Sequence, residues 1–240
     1  DGVIAPSERV EALLERYGVK IPIRVIPTGV DIKSMNEADN RDIRAELDID
    51  KDAPVILTLS RIAAEKKIDH ILDVMPDIIE EFPKVKLVIA GDGPDVKMLK
   101  EHVERLTLED YVIFTGAIAH EDVGNYYKMA DLFVSASDTE TQGLTYIEAL
   151  AAGTQCVVYD TDYTEHVFDD EMYGKIFTTK KEMLADILWY LRQGKIKIPQ
   201  DKLENKMDQV SAKHFGLEVY DFYQDVINKY QIEHEEELND

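Results

Sequence analysis

The 240-residue chain has a single cysteine, no long apolar run, and 27 basic residues against 49 acidic ones. Each shortage excludes something. One cysteine cannot build a disulfide framework. Cys156 stands in the apolar run Gln155-Cys156-Val157-Val158-Tyr159, where a buried strand thiol is expected rather than a reactive one. The formal charge of −22 leaves no Lys/Arg surplus to neutralise phosphates, so a nucleic-acid partner and a polybasic membrane patch are both excluded. No stretch of ~18 apolar residues exists, so no bilayer-spanning helix is expected. No signal-peptide pattern opens the chain. It starts at Asp1 without a methionine, so a fragment of a longer protein is expected, with cytoplasmic residence as the default.

What is present is enough apolar content, 45%, to bury a core, which argues against global disorder. Val10, Leu13, Leu14 and Tyr17 fall at i, i+3, i+4 and i+7, predicting a helix with Ser7 as N-cap and Gly18 as stop. A short strand follows at Arg24-Val25-Ile26, ended by Pro27-Thr28-Gly29, and the polar stretch 31–40 reads as a linker. Weak helical character returns at Ile43. Short, unalternated apolar runs then recur at 54–60, 85–90, 111–115, 132–135 and 156–159, with a weaker one at 175–177. Such runs predict strands covered on both faces. Helical stripes lie between them: Ile68/Ile71/Leu72/Met75/Ile79, where Pro76 predicts a kink, Val96/Leu99/Val103/Leu106, and Leu144/Ile147/Leu150/Ala151. Helices are expected at 183–191, near 202–207 and at 215–230, followed by a solvated or frayed acidic tail at 233–237. Alternating strands and helices predict an α/β fold, a Rossmann-like doubly wound parallel sheet of strand order 3-2-1-4-5-6.

In such a sheet, ligands bind beyond the carboxyl ends of the strands where the order reverses. That crevice lies between the first strand, ending near Ser60, and the fourth, ending at Ser135. Past the first end stand Arg61 and Lys66. Past the second stands Glu140-Thr141-Gln142-Gly143-Leu144-Thr145-Tyr146-Ile147-Glu148. Two cations opposite a glycine that enters a helix make an anion site, and in so acidic a chain that points to a phosphate ligand. No G-x-G-x-x-G follows the first strand, which argues against a dinucleotide.

Arg61-(x4)-Lys66 and Glu140-(x7)-Glu148 together resemble the retaining nucleotide-sugar glycosyltransferases of family 4. Val88-Ile89-Ala90-Gly91-Asp92-Gly93-Pro94, Val112-Ile113-Phe114-Thr115-Gly116 and Pro27-Thr28-Gly29-Val30-Asp31 fit the same pattern, and the resemblance reaches to about Leu191. The paired motifs are specific; either alone is weak. The resemblance implies one half of a GT-B fold, the C-terminal, donor-binding half. It implies that residues 1–34 are a remnant of the N-terminal domain and linker, 35–210 the nucleotide-sugar-binding domain, and 211–240 the helix that crosses back, with its tail. Where many members have Phe, this chain has Gln142, a form similar to the Gram-positive 1,2-diacylglycerol glucosyltransferases.

By position, the resemblance implies that Arg61 and Lys66 hold and stabilise the departing diphosphate. Gly143 and Leu144 would offer backbone N–H groups to it. Glu140 would hold sugar hydroxyls, Glu148 the ribose, and backbone near Ile118 the uracil edge, while Gly91 and Gly93 let the chain turn close to the ligand. It implies a UDP-sugar donor, no cofactor and no metal. It also implies an acceptor, a membrane lipid such as diacylglycerol, reached through the missing N-terminal domain, with the full-length protein peripheral at the inner membrane face. A Glu140 nucleophile is the alternative to the same-face attack ascribed to the family. A UDP-sugar epimerase of the same architecture and a non-catalytic nucleotide-binding module are the alternative functions. Asp160-Thr161-Asp162 has the D-x-D form of a manganese site but reads here as a loop turn; Thr164 and Glu165 either touch substrate or cap a helix. The six histidines show no ligand spacing.

Overall fold

The computed structural model describes residues 2–32, 35, 41–161 and 163–237. Six strands form one parallel sheet: β3 (Val55–Leu59), β4 (Lys86–Ala90), β5 (Val112–Gly116), β6 (Leu132–Ser135), β7 (Cys156–Tyr159) and β8 (Gly174–Phe177). Their spatial order is β5-β4-β3-β6-β7-β8, so the strand order reverses between β3 and β6, as expected. Along each strand successive side chains enter opposite faces. Val55 and Leu57 of β3 join Val88, Phe133, Cys156 and Val158 in one core, while Ile56 joins Leu87, Ile89, Leu132, Val134 and Val157 in the other. Both faces are covered, which is why the strands read as unbroken apolar runs rather than alternating ones.

The second core is closed by three helices, α3 (Ile68–Glu81), α4 (Val96–Leu106) and α8 (Lys180–Gln193). α3 runs without interruption through Pro76, which sits on its exposed side. The first core is closed by α2 (Ile43–Glu46), α5 (Val123–Met129), α6 (Leu144–Ala151) and α9 (Gln200–Gln209). α5 is not foreseen by the apolar pattern. Its seven residues bury Gly124 and Asn125 beside Val123, Tyr127 and Met129, so no apolar stripe stands out. Within the stretch 31–40, expected to be a linker, Met35 is 2% exposed and lies in the first core, with Ile32 packed against it. The rest of that stretch, 33–34 and 36–40, is outside the described residues.

Ahead of the sheet, β1 (Val3–Ala5), α1 (Glu8–Arg16) and β2 (Ile23–Val25) form a small parallel βαβ unit. Ser7 caps α1, its hydroxyl accepting from Val10 N at 3.4 Å, and Gly18 follows the helix at φ 84°. Two strands alone are not independently stable. This pair leans on the last helix, α10 (Ala212–Glu237). Arg24 bonds Asp225 at 2.6 Å with its guanidinium 4.9 Å from the Phe222 ring. α10 extends through the stretch expected to fray, as far as Glu237. The chain passes between the βαβ unit and the sheet at one place: Val30 N donates to Val210 O at 2.9 Å, and Ala212 N donates to Val30 O at 3.1 Å. A Cβ on Gly29 would collide with the backbone of Ser211 and Ala212, so glycine is what lets the two passages touch.

Candidate functional site

After β3 the backbone stays close to the end of β4. Ser60 N donates to Ala90 O at 3.1 Å and Ile62 N to Asp92 O at 2.9 Å. A Cβ on Gly91 would strike the Ser60 carbonyl, and one on Gly93 the Ile62 carbonyl. The close approach these two glycines permit is therefore to the segment that carries Arg61. A 3-10 turn, Ala64–Lys66, then ends at Lys67, whose φ of 48° is left-handed. That conformation costs a residue with a Cβ about 1–2 kcal/mol. Here the Lys67 side chain is anchored: its ammonium pairs with Asp138 and lies 5.7 Å from the Tyr159 ring centroid. The Lys67 ammonium holds the Asp138 carboxyl below its usual range.

On the other side of the crevice, residues 136–143 lead from β6 to α6. Gly143 is left-handed at φ 57°, and the Tyr146 ring occupies the space a Cβ would need. No side chain caps α6. Its opening N–H groups thus have no capping side chain and carry the positive end of the helix dipole. Facing them, Lys66 Nζ pairs with Glu140 Oε1, both side chains being 21% exposed. Arg61 is 66% exposed and bonds Glu65 at 2.5 Å. The resulting cleft, about 380 Å³, is lined by Ser60, Arg61, Lys66, Glu140, Gly143 and Leu144 among others. Glu140 and Thr141 also line a second cavity of about 220 Å³, whose opposite wall is Pro6, Ser7, Arg9, Val25 and Pro27 of the βαβ unit.

The structure thus brings Arg61, Lys66, Glu140, Gly143 and Leu144 together around one cleft. Gly91 and Gly93 support it from behind, and Ile118 follows β5, packed against the first core. Glu148 lies further along α6, where the Tyr127 hydroxyl donates to its Oε2 at 3.1 Å. Thr164, fully buried at the start of α7 (Thr164–Val167), accepts from Thr161 N at 2.8 Å through its hydroxyl, which also donates to Thr161 O at 2.8 Å, so it builds a turn. Asp162, half of the D-x-D pair, is outside the described residues. Among the described residues no three His, Cys, Asp or Glu side chains converge to hold a metal ion.

The profile of the family described as "Glycosyl transferases group 1" matches residues 39–213. This chain belongs to that family. It is 40% identical to an alpha-monoglucosyldiacylglycerol synthase of Streptococcus pneumoniae over 95% of this chain and 52% of the relative. It is 30% identical to the enzyme of the same name from Acholeplasma laidlawii over 94% and 58%. The chain thus spans about half the length of these curated relatives. Among solved structures, a sucrose-phosphate synthase from Thermosynechococcus elongatus superposes with a TM-score of 0.81 at 25% identity, covering 95% of this chain and 59% of that one. Anabaena HepE, solved with UDP and glucose, gives 0.80 at 20% identity over 92% and 62%. The structural neighbours are GT-B glycosyltransferases, and the Rossmann-like half expected from the sequence is the half observed.

Reading the sequence alone missed two partners in this family member's site. Asp138 and Lys67 are 71 positions apart, and only the fold shows that adjacent lysines meet carboxylates two residues apart. Tyr127, on the unforeseen α5, is the other. Burial pushes the Glu148 carboxyl above its usual range, against the opposing pull of the Tyr127 hydroxyl. A carboxyl raised by folding favours its protonated form. Its share of stability is full below the unfolded pKa of ~4.3 and is lost as pH rises through the folded value. Glu148→Gln is therefore expected to raise the melting temperature at pH 7 and to leave it nearly unchanged at pH 3.5. Thermal melts at the two pH values check this; no gain at pH 7 would contradict it.

Proposed function

We propose that this chain is the donor-binding half of a retaining hexosyltransferase that moves glucose from UDP-glucose to diacylglycerol. The observation that carries the reading is the position of Glu140, shared by two cavities. One holds the cations and the uncapped start of α6; the other opens toward the βαβ unit. A transferred sugar must sit between its leaving diphosphate and its acceptor, and Glu140 stands at that junction. The names of the two bacterial synthases supply the acceptor, and the UDP and glucose in HepE the donor.

In this reading the bond from the sugar's anomeric carbon to the diphosphate breaks, a bond to the acceptor oxygen forms on the same face, and the acceptor proton goes to the departing phosphate. Lys66, Arg61 and the N–H groups of Gly143 and Leu144 stabilise the charge that develops on UDP, a task that needs no metal here. Glu140 holds the sugar, Glu148 the ribose, and backbone near Ile118 the uracil. The burial of Glu148, which disfavours its charged form, supports a binding role, because a glutamine there would fold at lower cost. The rest of the protein supplies the acceptor side and covers Leu217, Tyr220, Tyr223 and Ile227, which α10 leaves exposed. Among the described residues no helix is long and apolar enough to cross a membrane. In this reading the full-length protein meets its lipid acceptor as a peripheral protein at the inner membrane face.

Calorimetry on this chain is expected to show UDP and UDP-glucose binding at micromolar to millimolar concentration, with ADP weaker. The full-length protein is expected to form α-configured glucosyldiacylglycerol from UDP-glucose and diacylglycerol vesicles, with or without a chelator. ADP bound as well as UDP, or a β-configured product, would overturn the reading.

A further inference from the structure

Gln142 lies one residue before the glycine that opens α6, and it is only 5% exposed. It lines the cation-bearing cleft together with Lys66, Glu140 and Thr145. Its carboxamide nitrogen is cut off from solvent and meets no hydrogen-bond partner among the described residues. A buried amide donor without an acceptor carries an unrecovered desolvation cost, and folded proteins pair nearly all such groups. An apolar side chain of the same size would fill the position without that cost. The arrangement makes sense when a ligand oxygen completes it.

Two kinds of ligand oxygen belong to a cleft of this composition. A phosphate oxygen wants positive charge, and Lys66, Arg61 and the start of α6 already offer it on that side. A hydroxyl both donates and accepts. Glu140, two residues earlier, can as a carboxylate only accept. A neutral donor beside it supplies what a carboxylate cannot give. We infer that Gln142 reads the transferred sugar: its carboxamide turns toward the cleft and its Nε2 donates to a hexose hydroxyl whose neighbour donates to Glu140, so this residue sets which hexose is accepted. The assignment rests on the donor-binding reading given above.

The test compares UDP with UDP-glucose on the wild-type chain and on Gln142→Met, which keeps the length of the side chain and removes its donor. Gln142→Met is expected to bind UDP within two-fold of wild type and UDP-glucose about ten-fold more weakly. Equal losses for both ligands would move the contact to the phosphate, and no loss for either would leave Gln142 a packing residue; both outcomes overturn the assignment while UDP binding itself stands. A wild-type chain that binds neither ligand overturns the donor reading, and this one with it. A second measurement does not depend on the variant folding. In the wild-type chain, the Gln142 side-chain amide resonances are expected to shift with UDP-glucose and not with UDP. Resonances that ignore the hexose overturn the inference.

Discussion

Replacing Lys66 with alanine is expected to lower the rate of sugar transfer by the full-length protein about 10²–10³-fold, the usual loss when one preorganised partner of a developing negative charge is removed. The UDP affinity of this chain should fall about ten-fold, while uridine affinity stays within two-fold. The geometry makes Lys66 more costly to lose than Arg61. Lys66 is one-fifth exposed and reaches across the cleft, whereas Arg61 is two-thirds exposed and tied to Glu65 on its own loop. Removing Lys66 also leaves the Glu140 carboxylate without its counter-charge, facing the same phosphates. The double substitution Lys66→Ala/Glu140→Gln should therefore recover part of the UDP affinity that Lys66→Ala loses. Initial rates and calorimetry on the single and double variants decide the matter. Uridine weakened as much as UDP would show that Lys66 does not meet the phosphates.

Arg44→Ala is expected to destabilise the fold by about 2–4 kcal/mol, lowering the melting temperature by roughly 5–15 °C. α2 is a single turn and has little stability of its own. Beside the buried Ile43, one guanidinium ties it to its neighbours: Arg44 donates to Met129 O, to Ala53 O and to Asp131 Oδ2, each at 2.8 Å. The same Asp131 oxygen accepts from Val55 N at 2.8 Å, at the first residue of β3. Alanine would leave two carbonyls and a carboxylate with one partner fewer at the point where the end of α5 meets the start of the central strand. The pair is less than one-third exposed, so solvent recovers only part of that loss. Arg44→Lys keeps the charge but not the three-way fork, and should fall between the two. Arg44 does not line the cleft, so UDP affinity should follow folding alone. A melting temperature within a few degrees of wild type would refute the account.

Strand existence and strand order were legible because a doubly covered parallel strand leaves an apolar run, and runs alternating with helical stripes admit few topologies. The cleft residues were legible because reversal of strand order tells where loops converge, before any coordinate is known. Three things were not. A seven-residue helix that buries glycine and asparagine leaves no periodic signal, so α5 and its Tyr127 went unread. A polar stretch can still sink one side chain into a core, as Met35 does in the supposed linker. And charge pairing across the cleft is a property of two loops folded together. Nothing in the order Lys66-Lys67 and Asp138-Thr139-Glu140 says that the first lysine meets the later carboxylate. Gln142 was visible as a departure from the pattern, but its orphaned nitrogen was not.

The double passage at Gly29 and Val30 has a mechanical meaning. The polypeptide goes over and comes back side by side here, Val30 bridging 210–212 through two hydrogen bonds. The contact resists being pulled apart or slid, since either motion would break both bonds. The βαβ unit is thereby clasped to the six-stranded sheet where the chain crosses between them twice. A Gly29→Ala change would drive a methyl group to within 2.4 Å of the Ser211 carbonyl oxygen, so the two crossings would have to part and the clasp between the unit and the sheet would loosen.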